Sequence, residues 1–112
     1  MERQETTYMP RVLTILEAQV PHPRQDDLRR AYRNAAQDVF PRGLIRSTLL
    51  QATNDPTLCR IETLWESREA LEAMRATGGT PRGILIFRAA GAEPTVAIWD
   101  VLDELSPPKG GA

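Results

Sequence analysis

The sequence predicts an α+β fold of ferredoxin-like type, a sandwich whose four-stranded antiparallel sheet carries its helices on one face. Three observations predict it. Four segments rich in β-branched and aliphatic residues alternate with segments whose apolar residues recur at helical spacing. Two of the strands are joined by a turn so short that they must form an antiparallel hairpin. The elements follow the order β-α-β-β-α-α-β, with no internal repeat and no linker that would divide the 112 residues into two domains.

The first strand is Val12-Leu13-Thr14-Ile15-Leu16-Glu17-Ala18-Gln19-Val20, halted by Pro21-His22-Pro23. Its early apolar run implies cover on both faces. Over residues 26–39, Leu28, Ala31, Tyr32, Ala35, Ala36 and Val39 form one helical stripe, with most arginines opposite. Asp26 and Asp27 stand in the first turn, where carboxylates suit the helix dipole, and Phe40-Pro41-Arg42-Gly43 ends the helix.

Residues 44–52 read as a second strand, Thr53-Asn54-Asp55-Pro56 as a turn, and residues 57–65 as a third strand. On this third strand Thr57, Cys59, Ile61, Thr63 and Trp65 share one face, and Leu58, Arg60, Glu62 and Leu64 the other. Ser67 is suited to cap a helix over residues 68–75, with Ala70, Leu71 and Met74 turned inward. Gly78-Gly79 breaks the chain. Thr80 as cap, Pro81 as first helical residue and Gly91 as stop then frame a helix over residues 81–90, although Ile84-Leu85-Ile86-Phe87 alone also suits a strand. Pro94 opens a last strand over residues 95–102. The folded domain is thus expected over residues 11–105, between flexible ends at 1–10 and 106–112.

A net charge of −1 supplies no general attraction for nucleic acid or acidic membranes. The single cysteine, Cys59, excludes an intramolecular disulfide and a multi-cysteine zinc site, and fits a reducing cytoplasm. No apolar run is long enough to span a membrane, and the polar first residues contain no signal-peptide core, so a cytoplasmic location is expected. The glycines at 78, 79 and 83 lack the spacing of a phosphate loop. His22, the one histidine, sits in a proline-flanked turn without the partners a metal site needs.

Several segments together resemble the antibiotic biosynthesis monooxygenase family, whose fold is the dimeric α+β barrel. They are Thr14-Ile15-Leu16-Glu17-Ala18-Gln19-Val20-Pro21, the hairpin at Asn54-Asp55-Pro56, the strand-to-helix passage Leu64-Trp65-Glu66-Ser67-Arg68-Glu69-Ala70-Leu71, Thr80-Pro81, and Thr95-Val96-Ala97-Ile98-Trp99. The resemblance covers about residues 11–104. It implies a homodimer formed by two facing sheets, with an apolar pocket between sheet and helices in each subunit. It also implies, for some members, oxygenation of polycyclic aromatic substrates by O2 without metal or flavin. The chain departs from the family pattern where histidines are frequent, at Met74 and Arg82, and at Leu16 and Thr63, where an asparagine and an acidic residue are common.

The resemblance makes Trp65 the leading site residue, its indole being suited to stack on a polycyclic ring. Arg82 and Arg88, on the helix expected to cover the pocket, are candidates to stabilise an enolate or peroxide anion. Tyr32, Ile61, Thr63, Met74, Phe87 and Trp99 complete the expected ligand-binding set, with Tyr32 otherwise a packing residue and Trp99 otherwise part of a dimer interface. Of the strand arginines Arg46 and Arg60, one could face the barrel interior, but a cross-strand ion pair with Glu62 is the favoured reading. Cys59 reads as a buried, inert thiol. No cofactor and no metal are expected.

Two functions follow. One is a cofactor-independent monooxygenase that binds and desolvates an aromatic or quinol-type small molecule and stabilises its anion; the sequence presents no clear general base, Glu17 and Asp100 being the available carboxylates. The other is a non-catalytic dimeric module of the same fold that binds a small apolar or aromatic ligand. An isomerase of this fold would need an acid/base pair that the sequence does not present. Neither nucleic acid nor a membrane is an expected partner.

Overall fold

The computed structural model describes residues 10–108. Its elements are β1 (Val12–Gln19), a 3-10 turn (His22–Arg24), α1 (Gln25–Ala35), β2 (Leu44–Ala52), β3 (Asp55–Trp65), α2 (Arg68–Arg75), α3 (Arg82–Ala89) and β4 (Thr95–Asp100). All neighbouring strands are antiparallel, in the order β2-β3-β1-β4. The ferredoxin-like sandwich is therefore present. Of the ends expected to be flexible, residues 1–9 and 109–112 lie outside the described residues, and 106–108 are exposed and without regular structure.

Register explains which side chains face the helices. β1 pairs with β3 so that Val12 stands opposite Trp65, Thr14 opposite Thr63, Leu16 opposite Ile61 and Ala18 opposite Cys59. These residues point to the helices because strand side chains alternate between faces. Two apolar clusters form above them. One joins Ala18, Val20, Cys59 and Ile61 to Leu28 of α1 and to Ile86, Phe87 and Ala90 of α3 and its end. The other joins Val12 and Trp65 to Leu71 of α2, with Leu44, Ala70, Met74 and Ile98 packed around it. Burying a side chain the size of Phe87 or Leu28 stabilises the fold by about 2–3 kcal/mol.

Local chemistry accounts for most boundaries. Ser67 accepts a hydrogen bond from the Ala70 N–H, so α2 begins where a side-chain cap removes an orphan donor. The hairpin turn is only Thr53-Asn54, and β3 begins two residues earlier than expected, at Asp55. α3 starts one residue late. Pro81, not Thr80, holds the cap position, and no side chain caps it. Gly91 ends that helix with φ of 76°.

The larger corrections lie in α1 and β4. α1 stops at Ala35, so Val39 is not on its stripe and is 90% exposed. Backbone bonds from Gln37 to Asn34 and from Asp38 to Ala35 tighten the chain out of the helix. Phe40 precedes Pro41, which disfavours helical geometry there. β4 ends at Asp100 rather than 102, after which Val101 N–H still donates to Arg11 O.

Among the described residues, no helix is long and apolar enough to cross a membrane.

Candidate functional site

The two apolar clusters are separated on the sheet by one polar rung. Ser47 of β2 pairs with Thr63 of β3, Thr63 with Thr14 of β1, and Thr14 with Ile98 of β4. The rungs on either side are largely apolar: Leu49–Ile61–Leu16–Val96 toward α3, and Leu44–Trp65–Val12 toward α2, the latter ending on β4 in Asp100, which pairs with Arg68. Three hydroxyl side chains thus lie side by side on the helix-facing surface, between greasy walls. Binding sites for small molecules have this composition, a mostly apolar lining with a few convergent polar groups.

Helices border this seam on both sides. Met74 of α2 packs against the Trp65 cluster. The first turn of α3 lies directly on Leu16, since a Cβ added to Gly83 would collide with Leu16 Cδ1. The chain from α2 to α3 joins these two borders. Its residues 76–80 are exposed, and Gly78 and Gly79 have positive φ with open space where a Cβ would stand. From α1, the Tyr32 hydroxyl donates to Ser47 Oγ at 2.9 Å.

Trp65 is 4% exposed and belongs to the α2-side wall. Its Nε1–H donates to Thr14 Oγ1 at 3.2 Å, and Thr14 Oγ1 donates in turn to Thr63 O at 3.4 Å. Thr63 is 9% exposed, and its own hydroxyl has no hydrogen-bond partner among the described residues. Ile61 is buried beside the rung, in the α3-side cluster.

The remaining expected site residues are dispersed. Phe87 is fully buried among the core residues of the α3-side cluster. Trp99 pairs with Leu13, which faces away from the helices, and is 59% exposed on the opposite side of the sheet from Trp65. Arg82 and Arg88 lie on the exposed side of α3. Arg82 Nε stands 3.6 Å from Asp38 Oδ2, and its Nη1 donates to Val39 O. Arg88 makes two bonds to Glu93, at 2.8 and 2.9 Å. The Glu93 carboxylate raises the Arg88 pKa, chiefly by hydrogen bonding, and is itself lowered.

The cross-strand ion pair expected at Glu62 forms at Glu17 instead: Arg60 bonds Glu62 along its own strand at 3.3 Å, and its shorter bonds, down to 2.7 Å, go across to Glu17 of β1. That triad lies on the sheet face without helices. Of the two carboxylates considered as a base, Glu17 is thus held by Arg60 away from the seam, and Asp100 is held by Arg68 at 3.0 Å. His22 is exposed in the 3-10 turn. Burial pushes the Cys59 thiol pKa up, as an inert buried thiol requires. Among the described residues no group of three or more His, Cys, Asp or Glu could hold a metal ion.

A depression of about 220 Å³ lies elsewhere, between the first turns of α1 and the β2 edge, lined by Gln25, Leu28, Leu49, Gln51 and Cys59 among others. Its two amides already bond one another, Gln51 Nε2 to Gln25 Oε1 at 3.0 Å, and both donate to Pro56 O. That network ties the hairpin to α1.

Sequence reasoning named Trp65, Thr63 and Tyr32 but missed Thr14 and Ser47. The signal available was a threonine between apolar neighbours on each of two strand faces, Thr14 between Val12 and Leu16 and Thr63 between Ile61 and Trp65. Only strand register shows that the two meet, with Ser47 beside them.

The family model for antibiotic biosynthesis monooxygenase matches residues 11–80. No curated protein matches the chain. Among solved structures, it is similar to a Nitrosomonas europaea protein assigned the same family name, with 20% identity, a TM-score of 0.65, and coverage of 91% of this chain and 96% of that one. A Caulobacter crescentus protein so assigned has 15% identity and a TM-score of 0.65 over 88% and 96% of the two chains. SnoaB, a cofactor-independent oxygenase from Streptomyces nogalater, has 16% identity and a TM-score of 0.58 over 88% and 99%. At these identities the structural likenesses establish the fold alone.

Proposed function

Because the chain belongs to the antibiotic biosynthesis monooxygenase family, we propose that it is a monooxygenase that uses O2, without metal or flavin, on an aromatic or quinol-type small molecule held in the seam. The observation that carries this reading is the indole of Trp65, buried at the border between an apolar wall and a hydroxyl rung. Such a border suits a flat ring that carries oxygen substituents. The substrate, once deprotonated, donates electrons to O2. A ring CH2 becomes C=O, and the second oxygen atom leaves as water with the two displaced hydrogens. The protein binds the ring, excludes water, and offers Trp65 and the rung to the reacting face. Arg82 is the nearer cation, one residue before the Gly83 that touches Leu16, and exchanging Asp38 for the substrate anion would bring its charge to bear.

The working unit in this reading is a homodimer. The sheet face without helices carries Leu13, Ile15, Ala97 and the exposed Trp99 around the Glu17–Arg60–Glu62 triad. An apolar face whose central charges are joined in one ion-bonded cluster is suited to a second sheet.

The non-catalytic module remains the second reading, favoured by one observation: Arg82 and Arg88 are both engaged by carboxylates on the exposed side of α3. Oxygen uptake with a panel of hydroxyanthrones and quinols separates the two. Uptake above the spontaneous rate, insensitive to chelator and diminished in Trp65→Phe and Arg82→Ala, is the expected outcome. Saturable quenching of tryptophan fluorescence without uptake would establish the binding module instead.

A further inference from the structure

We propose that Thr63, with Ser47 beside it, is the specificity-determining pair of the seam, and that it selects ligands presenting an uncharged ring oxygen, a phenol or quinone carbonyl, at the centre of the sheet. This inference rests on the seam being the ligand site and adds which atoms read the ligand and what they require of it.

The argument begins with an orphaned group. A hydroxyl taken out of water is costly unless it finds a partner, and buried side-chain hydroxyls almost always do. Thr63 is more than nine-tenths buried, yet its Oγ1 bonds nothing among the described residues. Its neighbours on the rung are different. Thr14 Oγ1 is engaged on both sides, accepting from Trp65 Nε1 and donating to Thr63 O. Ser47 Oγ accepts from Tyr32, and its own hydroxyl proton has no acceptor among the described residues. The rung therefore ends in two unused hydroxyl groups on adjacent strands, one buried and one at the exposed β2 edge.

Charge defines the ligand further. No side chain of the rung, and none of Trp65, Ile61, Leu16, Leu49 or Met74 beside it, is ionisable near neutral pH, and Asp100, at the β4 end of the Trp65 rung, is paired with Arg68. The nearby arginines are bound to carboxylates. A permanently charged ligand would lose its hydration there without an opposing charge. A neutral oxygen loses much less and recovers it through two hydroxyls, each able to donate or accept. The apolar rungs on both sides then hold the ring. Selection of this kind is steep, because a ligand lacking the oxygen leaves the buried hydroxyl unpaired.

Equilibrium dialysis of the purified protein with 1-naphthol and with naphthalene tests this, using the parent, Thr63→Val, Thr63→Ser and Ser47→Ala. Valine matches threonine in shape and removes the hydroxyl, and thermal melts establish that each variant is folded. The parent should prefer naphthol, and Thr63→Val should weaken naphthol binding on the order of fivefold while leaving naphthalene unchanged. Thr63→Ser should restore the preference, and Ser47→Ala should lower it in part. Equal loss for both compounds in Thr63→Val, no loss for either, or no saturable binding of either compound to the parent would overturn the proposal. Dialysis does not depend on turnover. A naphthol preference lost in Thr63→Val, in a protein that consumes no oxygen, would uphold the rung and refute the oxygenase.

Discussion

Trp65 and Thr14 are bonded diagonally across two strands: the indole Nε1–H of one rung donates to the hydroxyl of the next at 3.2 Å. The bond links the α2-side apolar wall to the polar rung and fixes the tilt of a ring that packing alone would leave free to adjust. Trp65→Phe and Thr14→Val each remove it and should each destabilise by about 1 kcal/mol beyond the loss of packing. Because both delete the same bond, their effects should fail to add by about 1 kcal/mol in a double-mutant cycle followed by denaturant unfolding. Strict additivity would show that the bond contributes nothing.

The sheet face that bears Trp99 has a separate consequence. Trp99→Glu places a charge where the proposed partner sheet would dock, on a side chain already 59% exposed in the single chain. The variant should sediment as a folded monomer, whereas the parent at micromolar concentration should sediment as a dimer. A parent that is monomeric under those conditions refutes the dimer.

Two glycines with similar backbone geometry separate strain from crowding. Gly43 has φ of 88°, and a Cβ there would stand 2.5 Å from the Ala70 Cβ. Gly78 has φ of 81° with nothing within 4 Å. Gly78→Ala should cost about 1–2 kcal/mol for the left-handed backbone alone. Gly43→Ala should cost a further 1–3 kcal/mol, roughly, because it also forces α2 away from the β2 entry. Melting temperatures that coincide would mean the loop at Gly43 yields freely.

Ser67→Ala removes the hydroxyl that accepts from Ala70 N–H and should destabilise by about 1 kcal/mol. Ser67→Asp should retain most of that stability, since a carboxylate caps equally well and suits the helix dipole. Because α2 carries Met74 and Leu71 against Trp65, the alanine variant should also broaden the near-ultraviolet tryptophan signal before global unfolding.

The Thr57 hydroxyl at 2.7 Å, and then its backbone N–H at 3.2 Å, hold the Asp55 carboxyl below its ordinary value of 3.8. A carboxyl depressed on folding contributes stability that is present above its unfolded pKa and lost as pH falls through the lower folded value. Asp55→Asn should therefore be less stable than the parent at neutral pH, and the difference should shrink below about pH 4. Urea midpoints at the two ends of that range decide it. A difference that does not change with pH would assign the effect to the turn rather than the charge.

Much of the architecture was legible because its causes are local. The span of α2 follows from Ser67 and the stripe Ala70, Leu71, Met74, and its bounds are those expected. The hairpin follows from a short polar turn between two β-rich runs. α1 overran because Ala36 and Val39 continue the helical period, while the chain leaves the helix at Ala35 ahead of Pro41. The candidate site was legible only in part. Trp65, Thr63 and Tyr32 lie at the seam, but Phe87 serves the core, Trp99 faces away, and Arg82 and Arg88 are held by Asp38 and Glu93.

Element types, their order and the inward face of each strand were written in the residue pattern, because hydrophobic period, caps and turn chemistry act over a few neighbouring residues. Strand register and helix placement depend on how those faces pack together. Only that packing set Ser47, Thr63 and Thr14 in one row from three separate strands, left the Thr63 hydroxyl buried without a partner among the described residues, and chose which carboxylate each arginine would meet.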